Sequence, residues 1–285
     1  MAARQQLAAL VLSAVCALHV TTGLVKLQPR IIGGAPVFDR CRAPFNWMVG
    51  LQAQSSRGPV TVCSGVLVSR TLVVTAARCA PYLSLPQTMA IIGERDLEMT
   101  DQDQQNIPID SVKVHRNYNR TTLANNIALI RLSRPATITR CVQLAARYQD
   151  DPEACNDVDS TCTMVGWGPY TEQSRPTNSR LPRSATVRVY DDLVSRIISN
   201  NDRGSDVSAG NRLAEAVVDG VKACNLDWGG AVSCMRRGYQ VLRGLISDHN
   251  CMTGGTPPPI QITDIPTFQI WLDTCQDNWD TCPSQ

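Results

Sequence analysis

The sequence has few of the groups with which proteins bind metals, phosphates and nucleic acids. It contains only three histidines, of which His115 and His249 lie outside the N-terminal apolar segment, and it has no His/Cys spacing typical of a zinc site. It also lacks a glycine-rich phosphate-binding loop, a basic run, internal repeats and low-complexity tracts. We therefore expect no metal, no cofactor and no nucleic-acid partner.

Long apolar runs are absent after the first residues. Arg4 is followed by a mostly apolar run, Leu7–Val20, that is too short to span a bilayer, and then by small residues up to Gly23. This pattern is typical of a secretory signal peptide over residues 1–23, and it leaves residues 24–30 as a short propeptide. No later segment has about twenty uninterrupted apolar residues, so we expect no membrane span. The sequence therefore predicts a secreted, extracellular protein.

The charge balance does not indicate a polyanionic partner. Residues 1–30 contain three of the 27 basic residues and none of the 25 acidic ones, so the rest of the chain is close to neutral. A near-neutral chain without a basic run is a poor candidate for binding nucleic acid or heparin through charge.

Cysteine is abundant but unevenly distributed. Of the twelve cysteines, Cys16 lies in the predicted signal peptide, and residues 190–221 contain none. The other eleven, in a secreted chain, indicate a disulfide framework. Because eleven is an odd number, one cysteine has no partner for a disulfide within the chain. It is either unpaired or capped, or it forms an intermolecular disulfide.

Three segments together resemble the landmark sequences of one enzyme family. They are 73–79 (VVTAARC), 125–132 (NNIALIRL) and 224–234 (CNLDWGGAVSC). They are similar to T-A-A-H-C, D-I-A-L and C-x-G-D-S-G-G-P-x-x-C of the secreted serine proteases of the trypsin/chymotrypsin family. In each segment the residue that performs the family's chemistry is exchanged. Arg78 stands at the histidine position, Asn126 at the aspartate position and Trp228 at the serine position.

The exchanged residues lack the chemistry that the family mechanism uses. That mechanism needs a hydroxyl nucleophile, an imidazole base and a buried carboxylate. Trp228 offers only an indole N–H, Arg78 has no acceptor atom, and Asn126 carries no charge. Leu226 stands where the family has a glycine whose backbone N–H faces the oxyanion, and a Cβ makes that geometry harder to reach. We therefore expect no peptidase activity, and neither remaining histidine matches a catalytic position.

The resemblance covers about residues 31–275 and implies the family fold. That fold is all-β, with two six-stranded antiparallel Greek-key barrels and a C-terminal helix. The local patterns agree, because Cys63–Thr75 reads as two strands around a turn and Asp264–Cys275 has apolar residues at helical spacing. Further strands are predicted over residues 126–132, 162–167 and 238–246. Residues 276–285 would form a C-terminal tail.

The resemblance also implies a set of disulfides. By position these are Cys63–Cys79, Cys162–Cys234 and Cys224–Cys251. The cysteines left without an assigned partner are Cys41, Cys141, Cys155, Cys275 and Cys282. Cys41 can pair with Cys141 or with Cys155, and a Cys275–Cys282 pair would close a small C-terminal loop.

The sequence Arg30-Ile31-Ile32-Gly33-Gly34 resembles the family's activation site. In active members, cleavage after the basic residue frees an Ile ammonium that pairs with the aspartate preceding the nucleophile, which is Asp227 here. A buried ammonium–carboxylate pair is tolerable only when both partners are present. Two readings stay open: cleavage after Arg30 still reshapes a binding surface, or the site is vestigial.

The family's substrate pocket is altered in this chain. Lys222 stands at the position of the pocket base, where trypsin-like members have an aspartate, and it would repel a basic side chain. Ser247, Asp248 and His249 stand where the family has a Ser-Trp-Gly edge, so an apolar wall has become polar and charged. Either the pocket has drifted under relaxed constraint, or it has become a recognition surface with aromatic and cationic groups.

Together these features are typical of a non-catalytic serine protease homologue. The leading hypothesis is a secreted regulatory or adaptor protein in an extracellular proteolytic cascade, such as innate immunity or clotting, where related inactive homologues bind a protease or zymogen. The alternative is a decoy or inhibitor that binds another secreted hydrolase or a microbial glycan. A third hypothesis is an enzyme with a relocated site. Asn119-Arg120-Thr121 is a sequon, so we also expect glycosylation at Asn119.

Overall fold

Antiparallel β-structure dominates the chain. The computed structural model describes residues 31, 33–56, 58–85, 87–94, 96, 102–147, 161–167, 181–201, 207–223, 227–248 and 259–285. The strands are β1 (Ala35–Pro36), β2 (Met48–Ser55), β3 (Gly58–Leu67), β4 (Leu72–Thr75), β5 (Met89–Ile92), β6 (Gln105–Val114), β7 (Ala128–Leu132), β8 (Thr161–Gly166), β9 (Arg183–Val189), β10 (Asn211–Ala216), β11 (Ala231–Arg236), β12 (Tyr239–Ile246) and β13 (Ile260–Asp264). The α-helices are α1 (Asp192–Asn201) and α2 (Gln269–Asp277).

Strands β2 to β7 form the first barrel. They pair in the closed order β2-β3-β4-β7-β6-β5, and every pairing is antiparallel. β4 is buried along its whole length, and buried Val, Leu and Ile side chains from the other strands fill the interior with it. β-branched and Leu-rich segments suit this environment because their side chains pack well on a pleated, half-buried surface.

Strands β8 to β13 form the second barrel. Their order is β9-β10-β13-β12-β11-β8, and an additional β8–β9 pairing closes the ring, while the short β1 pairs with the first residues of β9. The predicted all-β fold, with two six-stranded antiparallel barrels and a C-terminal helix, is confirmed.

Short helices accompany the two barrels. Asp191 accepts a hydrogen bond from the backbone N–H of Val194 (2.7 Å) and so caps the N-terminus of α1, which the sequence analysis did not predict. The predicted C-terminal helix is present as a 3₁₀ turn, Ile265–Phe268, followed directly by α2. Two further 3₁₀ turns lie within the described residues, Phe45–Trp47 before β2 and Ala77–Tyr82 after β4.

One apolar cluster joins the two barrels. It combines Val66 and Ile127 of the first barrel with Val165 and Leu245 of the second, and with Trp271 of α2. Each barrel also has its own core. Because the shared cluster packs the barrels against each other, the residues after β4 and before β7 meet those before β11 and after β12.

Four disulfides lie within the described residues. Cys63–Cys79 and Cys162–Cys234 coincide with pairs that the resemblance implies. Cys41 pairs with Cys141 rather than Cys155, and Cys275 pairs with Cys282. The predicted pair of Cys224 with Cys251, and the position of Cys155, lie outside the described residues.

The strand predictions also agree with the structure. The segment 63–75 contains the end of β3 and all of β4, and the segments 126–132, 162–167 and 238–246 correspond to β7, β8 and β12. Among the described residues, no helix is both long and apolar enough to cross a bilayer.

Candidate functional site

The three exchanged positions come together where the barrels meet. Arg78 lies in the 3₁₀ turn after β4, and Asn126 lies just before β7, so both belong to the first barrel. Trp228 precedes β11 in the second barrel, and Ser247 and Asp248 follow β12. We call these five residues the interbarrel cluster.

Arg78 contacts every other member of the cluster. Its backbone N–H donates to Asn126 Oδ1 (2.9 Å), and its Nη1 donates to the Ser247 carbonyl (3.1 Å) and to Asp248 Oδ1 (2.5 Å). Its guanidinium carbon lies 3.9 Å from the centroid of the Trp228 ring, which is a cation–π contact. The Arg78 side chain is 20% exposed and that of Asp248 is 42% exposed, so solvent partly screens this ion pair.

Asn126 is fully buried and uses both ends of its amide. Its Oδ1 accepts from Arg78, while its Nδ2 donates to the carbonyl (3.1 Å) and to the hydroxyl (2.9 Å) of Ser247. Its own carbonyl accepts from Thr263 Oγ1 of β13 (3.0 Å). An ionised carboxylate only accepts hydrogen bonds, so it could not bond the Ser247 carbonyl in this way. The amide therefore suits this local geometry.

Trp228 extends from the second barrel onto the first. Its carbonyl accepts from the Ser64 N–H of β3 (2.9 Å), and its ring stacks on Tyr82 with a centroid distance of 6.2 Å. The next residue, Gly229, has φ +77°, and a Cβ there would lie 2.2 Å from the Ser64 carbonyl oxygen. A glycine is required at this position because the backbones of the two barrels approach so closely. The backbone path thus directs Trp228 toward Arg78 and Tyr82.

The predicted activation residues lie in the interior of the second barrel. Ile31 is fully buried and packs in the same cluster as Val221 and Ala223. Asp227 is also fully buried, and its carboxylate lies so close to Gly166 that a Cβ there would be 2.1 Å from Oδ1. Arg30 lies outside the described residues.

The predicted pocket residues divide into two groups. Lys222 and Ser247 are buried, and Asp248 is part of the interbarrel cluster rather than a separate pocket wall. Leu226 and His249 lie outside the described residues. Within the described part of the chain, no group of three or more His, Cys, Asp or Glu side chains could bind a metal ion.

Tyr118 lies beside the cluster on the first barrel. Burial raises the pKa of its phenol, and the positive charge of Arg78 partly opposes this. Its hydroxyl oxygen is buried and makes no hydrogen bond within the residues that the structure describes. Tyr82, by contrast, is 48% exposed, so its ring is open to a partner.

A sequence model of the trypsin family matches residues 31–272. The chain belongs to the trypsin family. Among curated relatives, the human chymotrypsin-like elastase family member 1 is 26% identical over 262 residues, which cover 90% of this chain and 95% of the relative. Trypsin-1 of Salmo salar is 30% identical over 196 residues, covering 68% of this chain and 74% of the relative. The family resemblance predicted from three short segments is therefore confirmed over most of the chain.

Three members of the interbarrel cluster, Arg78, Asn126 and Trp228, are the residues that the sequence resemblance implies at the catalytic positions. The side chains of these three residues are a guanidinium, an amide and an indole, which carry hydrogen-bond donors, a cation and an aromatic face. Such groups bind and orient other groups, while nucleophilic and general-base chemistry needs a lone pair that Arg78 and the Trp228 indole do not offer.

Sequence reasoning missed three features of this site. It named Asp248 only as a pocket residue, and it did not name Tyr82 or Tyr118. Tyr82 lies four residues after Arg78 in the same 3₁₀ turn, which is a local signal that could have been used. The pairing of Arg78 with Asp248 spans 170 residues and carries no local signal.

Proposed function

We propose that the chain is a secreted, non-catalytic member of the trypsin family that acts as a regulatory or adaptor protein in an extracellular proteolytic cascade. The observation that carries the proposal is the position of the Arg78 guanidinium, between the Asp248 carboxylate and the Trp228 ring. Arg78 and Trp228 pack on each other, and the sequence resemblance implies a base and a nucleophile at these two positions in active members of the family. This packing favours a site that binds over one that reacts.

The absence of catalysis is tested by labelling and turnover. We expect the purified chain not to react with a fluorophosphonate probe, and not to hydrolyse peptide or ester substrates, because no hydroxyl or base occupies the three positions. The matched variant is Arg78→His/Asn126→Asp/Trp228→Ser, which restores those groups, and labelling of this variant alone would support the proposal. Turnover by the natural chain that is lost on substituting one of its own residues would contradict it.

The binding surface that we propose consists of Tyr82, Trp228, Arg78 and Asp248. Aromatic residues and arginine are enriched among the residues that contribute most to binding energy at protein interfaces. Tyr82 and Trp228 stack with an interplanar angle of 26°, and the exposed ring of Tyr82 forms an apolar face beside the charged pair. A protease or zymogen surface with an apolar anchor and complementary charges fits this arrangement.

Capture from the native extracellular fluid tests the partner class. The intact chain and a chain cut after Arg30 are each used as bait, and retained proteins are identified. We expect a protease or zymogen, and we expect Tyr82→Ala to lose it. The matched control is Tyr239→Ala, because Tyr239 is 74% exposed on β12 and lies outside the cluster. Equal capture by both tyrosine variants would contradict the assignment of this surface.

Cleavage after Arg30 is proposed to modulate this surface. Asp227 is the neighbour of Trp228 in the sequence, and both Asp227 and Ile31 are fully buried. The resemblance implies that a new ammonium at Ile31 pairs with Asp227, which would act on the backbone next to Trp228. An Arg30→Gln chain that binds its partner as well as the cleaved chain would contradict this part of the proposal, and would make the site vestigial.

The alternative is a decoy or inhibitor that binds another secreted hydrolase or a microbial glycan. The stacked rings of Tyr82 and Trp228 favour it to some extent, because aromatic side chains combine a broad apolar face with a polar edge, as sugar recognition requires. In the capture experiment, retention of a non-protease hydrolase or of a glycan by both baits would support the alternative and contradict the cascade role.

Glycosylation at Asn119 belongs to the same proposal of secretion. Asn119 is exposed, and its Oδ1 accepts from the N–H groups of Thr121 (2.9 Å) and Thr122 (3.1 Å). Its Nδ2, the atom to which a glycan is attached, lies on an exposed loop. We expect enzymatic deglycosylation to reduce the apparent mass of the secreted chain but not that of Asn119→Gln. An identical shift in the two would contradict modification at this residue.

A further inference from the structure

The tail of the chain returns to the first barrel after α2. The Cys275–Cys282 disulfide closes a loop at the end of the helix, and Trp271 Nε1 donates to the Pro283 carbonyl (2.8 Å). Ser284 then forms an antiparallel bridge with His115, just beyond the end of β6. We call residues 278–285 the clasp. The clasp follows α2, which comes after the last strand of the second barrel, and its last residues lie on the first barrel.

Gln285 makes the main polar contacts of the clasp. Its backbone N–H donates to the Val114 carbonyl (3.0 Å), and its Nε2 donates to the carbonyls of Arg116 (3.3 Å) and Tyr118 (2.8 Å). These three carbonyls belong to β6 and to the loop that follows it. One residue, through its backbone and its side chain, therefore fixes the backbone on both sides of His115.

Aromatic contacts reinforce the clasp. The His115 ring lies edge-on to Phe268 (5.3 Å between centroids) and to Trp271 (5.2 Å). Trp279, within the clasp, lies under Lys113 of β6 (5.8 Å) and Arg131 of β7 (5.1 Å). Cation–π and edge-to-face contacts each add to packing beyond buried area. The clasp thus binds β6 and β7 through rings as well as hydrogen bonds.

The loop that the clasp contacts leads directly to the interbarrel cluster. We call residues 115–127 the rim loop, because it contains both Tyr118 and Asn126. The His115 N–H donates to the Ile127 carbonyl (3.1 Å), so the two ends of the loop are bonded to each other. Asn126 is the neighbour of Ile127 and accepts the backbone N–H of Arg78 (2.9 Å). The Tyr118 phenol lies close enough to Arg78 for the positive charge of Arg78 to lower its pKa.

We infer that the clasp is a positioning element for the binding surface: it fixes the rim loop, and through the His115–Ile127 and Asn126–Arg78 hydrogen bonds it determines how rigidly Arg78 is presented. The inference rests on the proposed function for its biological use, since it concerns regulation of the same site. The physical coupling itself is independent of any partner. A change that frees the clasp would loosen the site without touching any of its side chains.

Amide hydrogen exchange of the full chain, measured by NMR, tests this coupling. Gln285→Ala removes the two side-chain bonds, and deletion of residues 283–285 also removes the bonds of the tail backbone. Cys275→Ser/Cys282→Ser keeps these residues and removes the covalent closure. We expect the amides of Tyr118, Asn119 and Arg78 to exchange about tenfold faster in all three variants, because local opening becomes easier when hydrogen bonds are lost.

A matched control lies at the other end of β6. Gln105 is a half-buried glutamine whose side chain bonds the backbone of Thr137 twice, at 2.8 Å in each case. Gln105→Ala should therefore leave exchange at Tyr118 and Arg78 unchanged. Cys41→Ser/Cys141→Ser controls for the loss of a disulfide that the clasp does not contact.

Two results would overturn the inference. Unchanged exchange of the rim-loop amides would show that the clasp does not fix the loop. Faster exchange at Tyr118 with unchanged exchange at Arg78 would show that the loop and the cluster are not coupled. Neither result depends on a partner, so failure of the proposed function would appear separately, as failed capture with normal coupling.

Discussion

Replacing Arg78 by alanine should measure how strongly the interbarrel cluster joins the two barrels. The change removes the ion pair with Asp248 (2.5 Å), the bond to the Ser247 carbonyl (3.1 Å) and the contact with the Trp228 ring (3.9 Å). A partly exposed ion pair contributes about 0.5–1 kcal/mol. A hydrogen bond from a charged donor contributes about 1.5–3 kcal/mol. A cation–π contact contributes about 0.5–1 kcal/mol.

These contributions do not add fully, because one guanidinium makes all three contacts. We therefore expect Arg78→Ala to lower the free energy of unfolding by about 2–3 kcal/mol, measured by urea denaturation. The backbone N–H of residue 78 still donates to Asn126 in this variant, so the local backbone should be retained. A matched control is Arg196→Ala, since Arg196 pairs with Asp192 on the exposed surface of α1 and should cost less than about 0.5 kcal/mol.

A double-mutant cycle isolates the ring contact. Combining Arg78→Ala with Trp228→Ala should give a coupling free energy of about 0.5–1.5 kcal/mol, because the two side chains are in direct contact. Additive effects within about 0.3 kcal/mol would refute the cation–π contact. Stability of Arg78→Ala equal to that of the natural chain would refute the larger claim that the cluster fastens the barrels together.

Three further predictions concern the framework of the site. Gly229→Ala should lower the melting temperature strongly and reduce the free energy of unfolding by more than about 3 kcal/mol, because φ is +77° and the new Cβ would lie 2.2 Å from the Ser64 carbonyl oxygen. A reduction below about 1 kcal/mol would contradict this. Asp264→Asn should cost about 3–5 kcal/mol in urea unfolding, since that buried carboxylate pairs with two arginines, whereas Asp110→Asn, in an exposed pair, should have little effect. Burial lowers the pKa of His115, and the charge of Arg116 lowers it further. The stability that neutral His115 contributes should therefore be fully present above the ordinary histidine pKa of about 6.5, and it should be lost as the pH falls below that value. His115→Asn should flatten that part of a melting-temperature profile, and an unchanged slope would argue against this assignment.

Much of the fold could be predicted because its signals are local. The strand β4 reads as a strand from its own β-branched and apolar residues, and α2 reads as a helix from the spacing of its own apolar side chains. The three short segments also led to the correct family, because cysteine spacing and exchanged residues are visible without any contacts. Helix α1 was missed although its signals are local, because Asp191 is a favoured N-cap residue and the apolar residues of α1 recur at helical spacing.

The candidate site could be predicted only in part. Arg78, Asn126 and Trp228 were identified from their neighbours in the sequence, and their positions together follow from the fold. Their actual partners could not be predicted in this way. The bond of Arg78 to the Asp248 carboxylate and the bond of Gln285 to the Tyr118 carbonyl join groups that are 170 and 167 residues apart in the sequence. Neither rotamers nor loop paths at such separations are specified by a local pattern.

The sequence by itself determined the chemical character of this protein: the family, the disulfide-rich barrels, and a guanidinium, an amide and an indole at the three exchanged positions. These properties belong to single residues and short segments, so they need no tertiary contacts. Only the tertiary structure decided how those groups are used. Packing of the two barrels brought Arg78 between Asp248 and Trp228, and it brought Gln285 of the clasp onto the rim loop. Such contacts depend on the summed geometry of all intervening elements, which is why they appear only in the folded chain.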